Sequence, residues 1–417
     1  MNLVRVAYAY ARHSPLATVL NLALLTLGVA TITLLLLLSD ALDERLKRDA
    51  AAIDLVVGAK GSPLQLVLAG VYHVDVPPGN IPLAEVEKLR GNALIREVVP
   101  VAMGDSYRGF HIVGTEPGFL GLYGARLAGG VLWRAPLEAV LGAEVARRSG
   151  LALGAQFAGS HGLAEGGEAH GDNPYRVVGI LAPSGTVIDR LVLTGVDSVW
   201  KVHEHEEKEE RAREGAAGAD QAGAGKTHAE QPAVAPGREV TMALIKYATP
   251  LAAASLPRQI NSESSLQSAS PAYESARLFT VFGVGTDVIR GFALFLIAAA
   301  ALGMFIALYQ AMDARQYDLA IMRTLGASRG RVCGVLLLES LLLAAAGAVL
   351  GVALGHALLA AIGAWLPAAA TLATGASRLL PGELGVVALA LAGGILAALL
   401  PAWRAYRLDV AATLAKG

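Results

Sequence analysis

The chain has 417 residues, of which 54% are hydrophobic and 17% charged, with a mean hydropathy of +0.51. A soluble domain carries about 25% charged residues, so this composition excludes an ordinary soluble enzyme and points to a membrane protein with a polar insert. The formal net charge of −1 says little until charges are assigned to sides. No nucleic-acid-binding pattern is present, and the single cysteine, Cys333, excludes an intramolecular disulfide.

The first fifteen residues, MNLVRVAYAYARHSP, carry Arg5, Arg12, Tyr8 and Tyr10, a mixture suited to the interfacial belt before a membrane span. Leu16 to Leu38 follows without a charge and is long enough to cross a bilayer. A cleavable signal peptide is the competing reading. Ser39-Asp40 runs straight into ALDERLKRDAA, however, and this helix-continuing segment favours an uncleaved span.

From Asp40 to about Gly285 the pattern is that of an α+β domain. Asp40–Ala52 reads as a charged helix, Leu55–Val57 as a strand, and Pro63–Tyr72 and Leu83–Arg90 as short helices. Strands are expected at Ile95–Val101, Tyr107–Val113, Glu138–Leu141, Tyr175–Leu181 and Leu191–Leu193, with a helix at Ala143–Ser149. His203 to Gly237 is a charge-rich, then Ala/Gly/Pro-rich, insert that predicts a loop without a core. A returning strand at Val240–Lys246 and a helix at Ala252–Asn261 close the domain.

Three more apolar runs follow, at about Val288–Met312, Val332–Leu359 (continuing towards Leu366, with a break expected near Gly355 or Gly363) and Leu384–Trp403. Arg315, Arg323, Arg329 and Arg331 lie between the second and third, and Arg404, Arg407 and Lys416 follow the fourth. The link 367–383 has only Arg378. The positive-inside rule then places both termini and the 313–331 segment in the cytoplasm. The expected architecture is an α-helical membrane protein with four transmembrane helices and a large extracytoplasmic α+β domain between the first and second. Its divisions are 1–39, 40–285 (with 203–237 as the loop), 286–312, 313–331, 332–366, 367–383 and 384–417, in the cytoplasmic (inner) membrane.

The segment Asp313–Arg331 has Leu319, Ile321, Met322 and Leu325 at the spacing of a short amphipathic helix. Gly326 supplies a stop and Ser328 a cap for the next helix. The run RQYDLAIMRTLGAS closely resembles the signature of FtsX-like/MacB-like ABC transporter permeases. The tail LLPAWRAYRLDVAATL is similar to that family's ending, except that Val410 stands where proline is usual. The order EAVLGAEVARRSGLALGAQF, then YRVVGILAPSG, more loosely resembles the family's extracytoplasmic domain.

The resemblance implies a non-catalytic permease subunit that couples hydrolysis of ATP-Mg on a separate ABC ATPase subunit to movements of its extracytoplasmic domain (mechanotransmission). Arg315, Asp318, Leu319, Met322, Arg323, Leu325 and Gly326 would then form the ATPase-coupling segment. The expected partners are that ATPase, a second copy or a paralogous permease, membrane lipids, and an extracytoplasmic binding protein. A signalling permease of the FtsX type, or a membrane-anchored metal-binding accessory protein, are the alternative readings.

Other constellations carry less. Gly347, Gly351 and Gly355 repeat at i, i+4, i+8, a small-residue face for close helix contact within the bundle or across a dimer. His203 and His205 alternate with Glu204, Glu206 and Glu207, and His161 and His170 lie in a second Gly-rich stretch. Such donors suit zinc, copper or nickel, and the competing reading is a solvated polar loop with adventitious affinity. Gly225-Lys226-Thr227 ends like a phosphate-binding loop, but Asp220 stands where its first glycine belongs. Glu339 and His356 are polar groups at bilayer depth, read as structural rather than as a proton relay.

Overall fold

The structure, a computed structural model, describes residues 15–161, 173–202, 238–366 and 373–407. It divides into two compact units. One comprises Met1–Glu44 with Thr280–Gly417, the other Arg45–Phe279.

The first unit is helical. Helix α1 spans Pro15–Ala50, and its residues up to Glu44 belong here. The sheet unit, described below, supplies the elements between α1 and the next membrane-length helix. The chain then returns through α7, Pro271–Thr324, followed by α8, Arg329–Trp365, and α9, Pro381–Tyr406. These four are long and apolar enough to cross a membrane. Their packing rests on small residues. A methyl group built on Gly347, Gly351 or Gly355 of α8 would come within 2.7 Å of Leu25, 2.5 Å of Val29 or 2.8 Å of Thr33 of α1. The α1 backbone is as close: the Thr26 carbonyl lies 2.9 Å from the methyl position on Gly351, the Ala30 carbonyl 3.1 Å from that on Gly355. The glycine face therefore meets another helix of the same chain. Gly28 of α1 is used in the same way against Ile297 and the Ala293 carbonyl of α7, and Gly394 of α9 against Ala344 of α8. Around these contacts Leu25, Val29, Ile297, Met304, Ala348 and Ala390 form a closed apolar core.

The second unit is built on one mixed sheet. Its strands are β1 (Leu55–Ala59), β3 (Ile95–Tyr107), β4 (Phe110–Thr115), β5 (Leu127–Gly130), β6 (Glu138–Leu141), β7 (Gln156–Phe157), β8 (Ser160–His161), β9 (Tyr175–Leu181), β10 (Val192–Gly195), β12 (Met242–Tyr247) and β13 (Leu266–Ala269). A small separate ladder joins β2 (Ile81–Pro82) to β11 (Glu239–Val240). The main order is β13-β1-β12-β3-β4-β10-β6-β9-β5, with β7 on β9 and β8 on β3. Pairing is antiparallel except for β4–β10 and β6–β9. The helices are α2 (Pro63–Gly70), α3 (Leu83–Arg90), α4 (Gly118–Leu122), α5 (Ala143–Ser149) and α6 (Leu251–Glu263). Val56, Val101, Val113, Leu193 and Leu244 pack with α2 and α4 in one core. Leu55, Val57, Val98, Ala243 and Ile245 pack with α3 and α6 in another, as period-2 alternation requires of a sheet covered on both sides.

Three expectations are corrected. The strand expected at Tyr107–Val113 is broken by a turn at Arg108 (φ 49°) and Gly109 (φ 78°), which closes the β3–β4 hairpin. Two successive positive φ angles match the twist of paired strands. The charged run from Asp313 is not a separate helix: α7 continues unbroken to Thr324. Nor does α8 break at Gly355 or Gly363; it is continuous to Trp365, because its glycines serve close packing.

His73 is buried beside His111 (ring centroids 6.2 Å apart) and Phe119. Neither ring nitrogen of His73 has a hydrogen-bond partner. Burial, then His111 and Arg190, push its pKa down from 6.5 to about 3. The unfolded chain therefore takes up a proton near pH 6.5 that the folded chain refuses until about pH 3. Stability is full above pH 6.5 and declines as pH falls through that window.

Two measurements check this account. Gly351→Val should lower thermal stability in detergent by about 1–3 kcal/mol through overpacking against Val29. Gly334→Ala, whose methyl would meet nothing within 4 Å, should be neutral or slightly stabilising. Acid unfolding followed by circular dichroism should steepen between pH 6.5 and 4 in the native chain. His73→Phe should flatten that dependence by about a few kcal/mol across the window.

Candidate functional site

The segment that ends α7 and starts α8 is a four-residue turn, Leu325-Gly326-Ala327-Ser328. Gly326 has φ 97°; its N–H donates to the Arg323 carbonyl (3.1 Å), and the Ala327 N–H donates to the Met322 carbonyl (3.0 Å). This 5→2 and 6→1 pair is a Schellman motif, which needs a left-handed residue at its centre. The accompanying hydrophobic contact is supplied by Met322 and Ala327, both packed on the core beneath. Ser328 then caps α8, its Oγ accepting from the Arg331 N–H at 3.3 Å.

The turn sits on an apolar base of Leu308, Met312, Leu319, Val332, Leu336, Ala398, Ala402 and Ala405. Leu319 is therefore buried and Met322 half-buried, so both hold the segment to its own bundle. Leu325 points away and is 83% exposed, with Arg329 and Arg331 exposed nearby in the chain and Arg323 half-buried. Arg315 and Asp318 lie on the last turns of α7. The arrangement offers a rigid corner with one exposed leucine on a basic rim.

At the end of the helical unit that holds the α8–α9 link, polar groups fasten three segments. The His356 Nδ1 lies 2.7 Å from the Ala376 carbonyl and its Nε2 3.2 Å from Glu383 Oε2. Glu383 Oε1 accepts from the Leu380 N–H at 3.0 Å. Arg378 Nη1 donates to both carboxylate oxygens of Glu44, at 2.8 and 2.9 Å. Burying Glu383 is tolerable because its oxygens are occupied. Glu339 is buried on α8 and has a partner.

In the sheet unit, the last turns of α1 and the first turns of α7 meet one side chain. The Tyr72 hydroxyl is 2.6 Å from Ser275 Oγ of α7 and 3.5 Å from the Leu46 carbonyl of α1. Burial raises the Tyr72 pKa, with the Ser275 hydrogen bond opposing it, so the phenol stays protonated. Ser275 donates onward to the Pro271 carbonyl at 2.5 Å. Asp49, the last charged residue of α1, accepts from the Val187 N–H at 2.8 Å and lies 3.9 Å from Arg45, while Arg48 donates to the Gly185 carbonyl at 3.2 Å.

His203, His205 and His170 lie outside the described residues, as does Gly225-Lys226-Thr227. His161 is placed by its backbone on β8, opposite Asp105 of β3. Among the described residues there is no group of three or more His, Cys, Asp or Glu side chains fit to hold a metal ion.

Residues 18–213 match the family model of the MacB-like periplasmic core domain, and residues 290–410 that of the FtsX-like permease C-terminal region. The chain belongs to the FtsX-like/MacB-like permease family. Among solved structures it is similar to the periplasmic region of MacB from Actinobacillus actinomycetemcomitans, at 12% identity and TM-score 0.34, covering 55% of this chain and 95% of that one. It is also similar to the extracellular domain of the ABC-type transporter YknZ from Gram-positive bacteria, at 12% identity and TM-score 0.31, covering 52% of this chain and 99% of that one. No curated protein matches.

FtsX-like/MacB-like permeases are components of ABC-type transporters and work with ABC ATPase partners. The chain is thus a membrane protein with an extracellular α+β domain between its first and second apolar helices. In this member the sequence pointed to the 313–328 segment and marked His356 as a polar group at bilayer depth, but gave no signal for its partner Glu383, 27 residues away, or for Tyr72 and Ser275, 203 residues apart.

Tyr72→Phe should cost about 1 kcal/mol of stability and raise hydrogen exchange in 45–50 and 271–279. Ser275→Ala should do the same, and the double variant should be no worse than either alone. Full additivity would show that the two hydroxyls do not act as one unit.

Proposed function

We propose that this chain is the permease subunit of a mechanotransmission ABC transporter. A separate ATPase binds and hydrolyses ATP-Mg, presses on the Leu325–Ser328 corner, and so moves the extracytoplasmic sheet domain. The observation that carries this reading is α7. Its 54 residues run without interruption from Pro271, beside Tyr72, to the Schellman turn. At 1.5 Å per residue this is a strut of about 80 Å, far longer than the ~30 Å hydrocarbon core of a bilayer. No proline follows Pro271 within it, and a helix without proline resists sharp kinking. Pushing on one end then displaces the other.

Helix α1 is the second rod of this device, since it too is helical from Pro15 through its charged end to Ala50. Tyr72 holds the ends of both rods in the sheet unit, and the Asp49–Val187 bond fastens α1 to the segment before β10. In the proposed assembly two permease chains, either two copies or this chain and a paralogue, stand on two ATPase subunits. The chain's own part is mechanical, with no catalytic group called for. The work is export, extraction or handling of a substrate on the extracytoplasmic side.

Leu325 is the decisive side chain, because its exposure lets it change without disturbing the bundle. Leu325→Asp should leave thermal stability within about 0.5 kcal/mol of the native chain. It should also abolish co-purification with the ATPase and the permease-dependent part of ATP hydrolysis. A Leu325→Asp chain that binds and couples normally would sink the assignment of this corner. A coupled complex that moves no substrate but stably holds an extracytoplasmic hydrolase would shift the reading from transport to signalling.

A further inference from the structure

The helical unit carries a cavity of about 800 Å³ on its flank, bounded by α7, α8 and α9. Phe305, Leu337, Leu400 and Trp403 form its apolar wall, with Tyr406 and Arg407 at one end. The cavity follows α9 from Leu396 to Arg407, a rise of about 16 Å, close to half the ~30 Å hydrocarbon thickness of a bilayer. The end marked by Trp403, Tyr406 and Arg407 has the aromatic and basic composition of a membrane–water boundary, while the Leu396 end reaches the depth of a bilayer midplane.

The polar end is cationic. The guanidinium of Arg407 lies over the Trp403 ring at 4.9 Å, that of Arg329 over Tyr406 at 5.9 Å, and that of Arg404 over Tyr309 at 4.2 Å. Stacking leaves the N–H donors at the guanidinium edges available. None of the three arginines forms an ion pair among the described residues. Among the described residues no carboxylate lines the cavity. A groove one leaflet deep, apolar along its length, with Arg407 at its mouth and Arg329 stacked on the Tyr406 that lines it, complements an acyl chain joined to an anionic headgroup.

We propose that this groove is a binding site for an anionic glycerophospholipid drawn from the surrounding leaflet. One acyl chain lies along Leu337, Leu400 and Trp403, and the phosphate is held by Arg407 and Arg329. The site lies beside Val332 and Leu336, which support the coupling corner from below, through their α8 neighbours Cys333 and Leu337. A seated lipid thereby stiffens the base on which the ATPase presses. The inference rests on the membrane placement of these helices and not on the ATPase assignment, so either can fail without the other.

Trp403 is the reporter. The full chain, with Trp133, Trp200 and Trp365 changed to Phe, is placed in nanodiscs containing an equal, low mole fraction of brominated phosphatidylglycerol or brominated phosphatidylcholine. The anionic lipid should quench Trp403 severalfold more than the zwitterionic one, and Arg407→Gln should bring the quenching ratio to about one. Native mass spectrometry of the unsubstituted chain should show a retained phosphatidylglycerol that Arg407→Gln loses, which keeps the test valid if the tryptophan background misfolds. Equal quenching by both lipids would reduce the groove to ordinary bilayer contact and overturn the proposal. Absence of quenching by either, with a Cys333–Cys333 crosslink between chains, would show that a second copy covers the groove, and would overturn it too.

Discussion

The approach of α8 to α1 through Gly347, Gly351 and Gly355 is the constraint on which the helical unit depends. Between apolar helices in lipid there is no hydrophobic drive to associate, because lipid tails are as apolar as leucine. What remains is dispersion, individually small and steep in distance, so backbones must come close. Removing three side chains in a row on α8 lets Leu25, Val29 and Thr33 sink into the gaps and brings the carbonyls of Thr26 and Ala30 to the glycine positions. Gly28 on α1 repeats the device towards α7, and Gly394 on α9 repeats it towards α8. The bundle is thus tied together by absent side chains, and its few polar contacts, such as the hydrogen bond from Ser340 to the Gly394 carbonyl, lock the spacing that results.

From that fixed bundle the two ends take different characters. At the α7–α8 corner the backbone satisfies itself, through the Schellman bonds of Gly326 and Ala327 and the cap of Ser328, so the hydrogen bonds that close the turn call on no side chain except the serine hydroxyl. Leu325 is free to face outward for that reason. At the other end, side chains do the fastening: Arg378 grips Glu44, and His356 bridges the Ala376 carbonyl and Glu383. A corner stiffened by backbone geometry suits repeated contact with a partner, whereas an end held by ion pairs and side-chain bonds suits a fixed anchorage.

Much of this was legible in the sequence because its signals are local. Leu83–Arg90, Glu138–Leu141, Ala143–Ser149 and Tyr175–Leu181 have the bounds their periodicity predicts, and Gly326 and Ser328 do what their residue types favour. The misreadings share a cause. Charge at Asp313 marks where an apolar run ends, which is a statement about solvent; the helix has no reason to stop there, since Asp, Arg and Gln are all compatible with its hydrogen-bond ladder. Likewise Gly355 and Gly363 looked like breaks because glycine lowers helix propensity, yet packing outweighs about 1 kcal/mol of propensity. The Arg108–Gly109 turn was hidden because apolar alternation runs through Tyr107 and Phe110. Tyr72 with Ser275 had no sequence signature, and His356 stood out only as a polar group at bilayer depth, without its partner Glu383, because both pairs are made only by the fold.

The corner and the glycine stripe share α8, separated by 21 residues from Gly326 to Gly347, and helical geometry joins their fates. Each residue added to or removed from that stretch would swing everything beyond it by about 100° around the helix axis. Leucine or valine would then face the carbonyls of Thr26 and Ala30, and the close seam would be gone. The same holds along α1 and α7, whose facing positions are also counted in turns. Length change in such a chain is therefore permitted only where no register is kept, and the long Ala/Gly-rich stretch between His203 and Gly237 stands in the part of the sequence where an insertion costs the seam nothing. The family's variety in length should be written in the connections of its sheet domain, while its membrane helices keep their residue count to the letter.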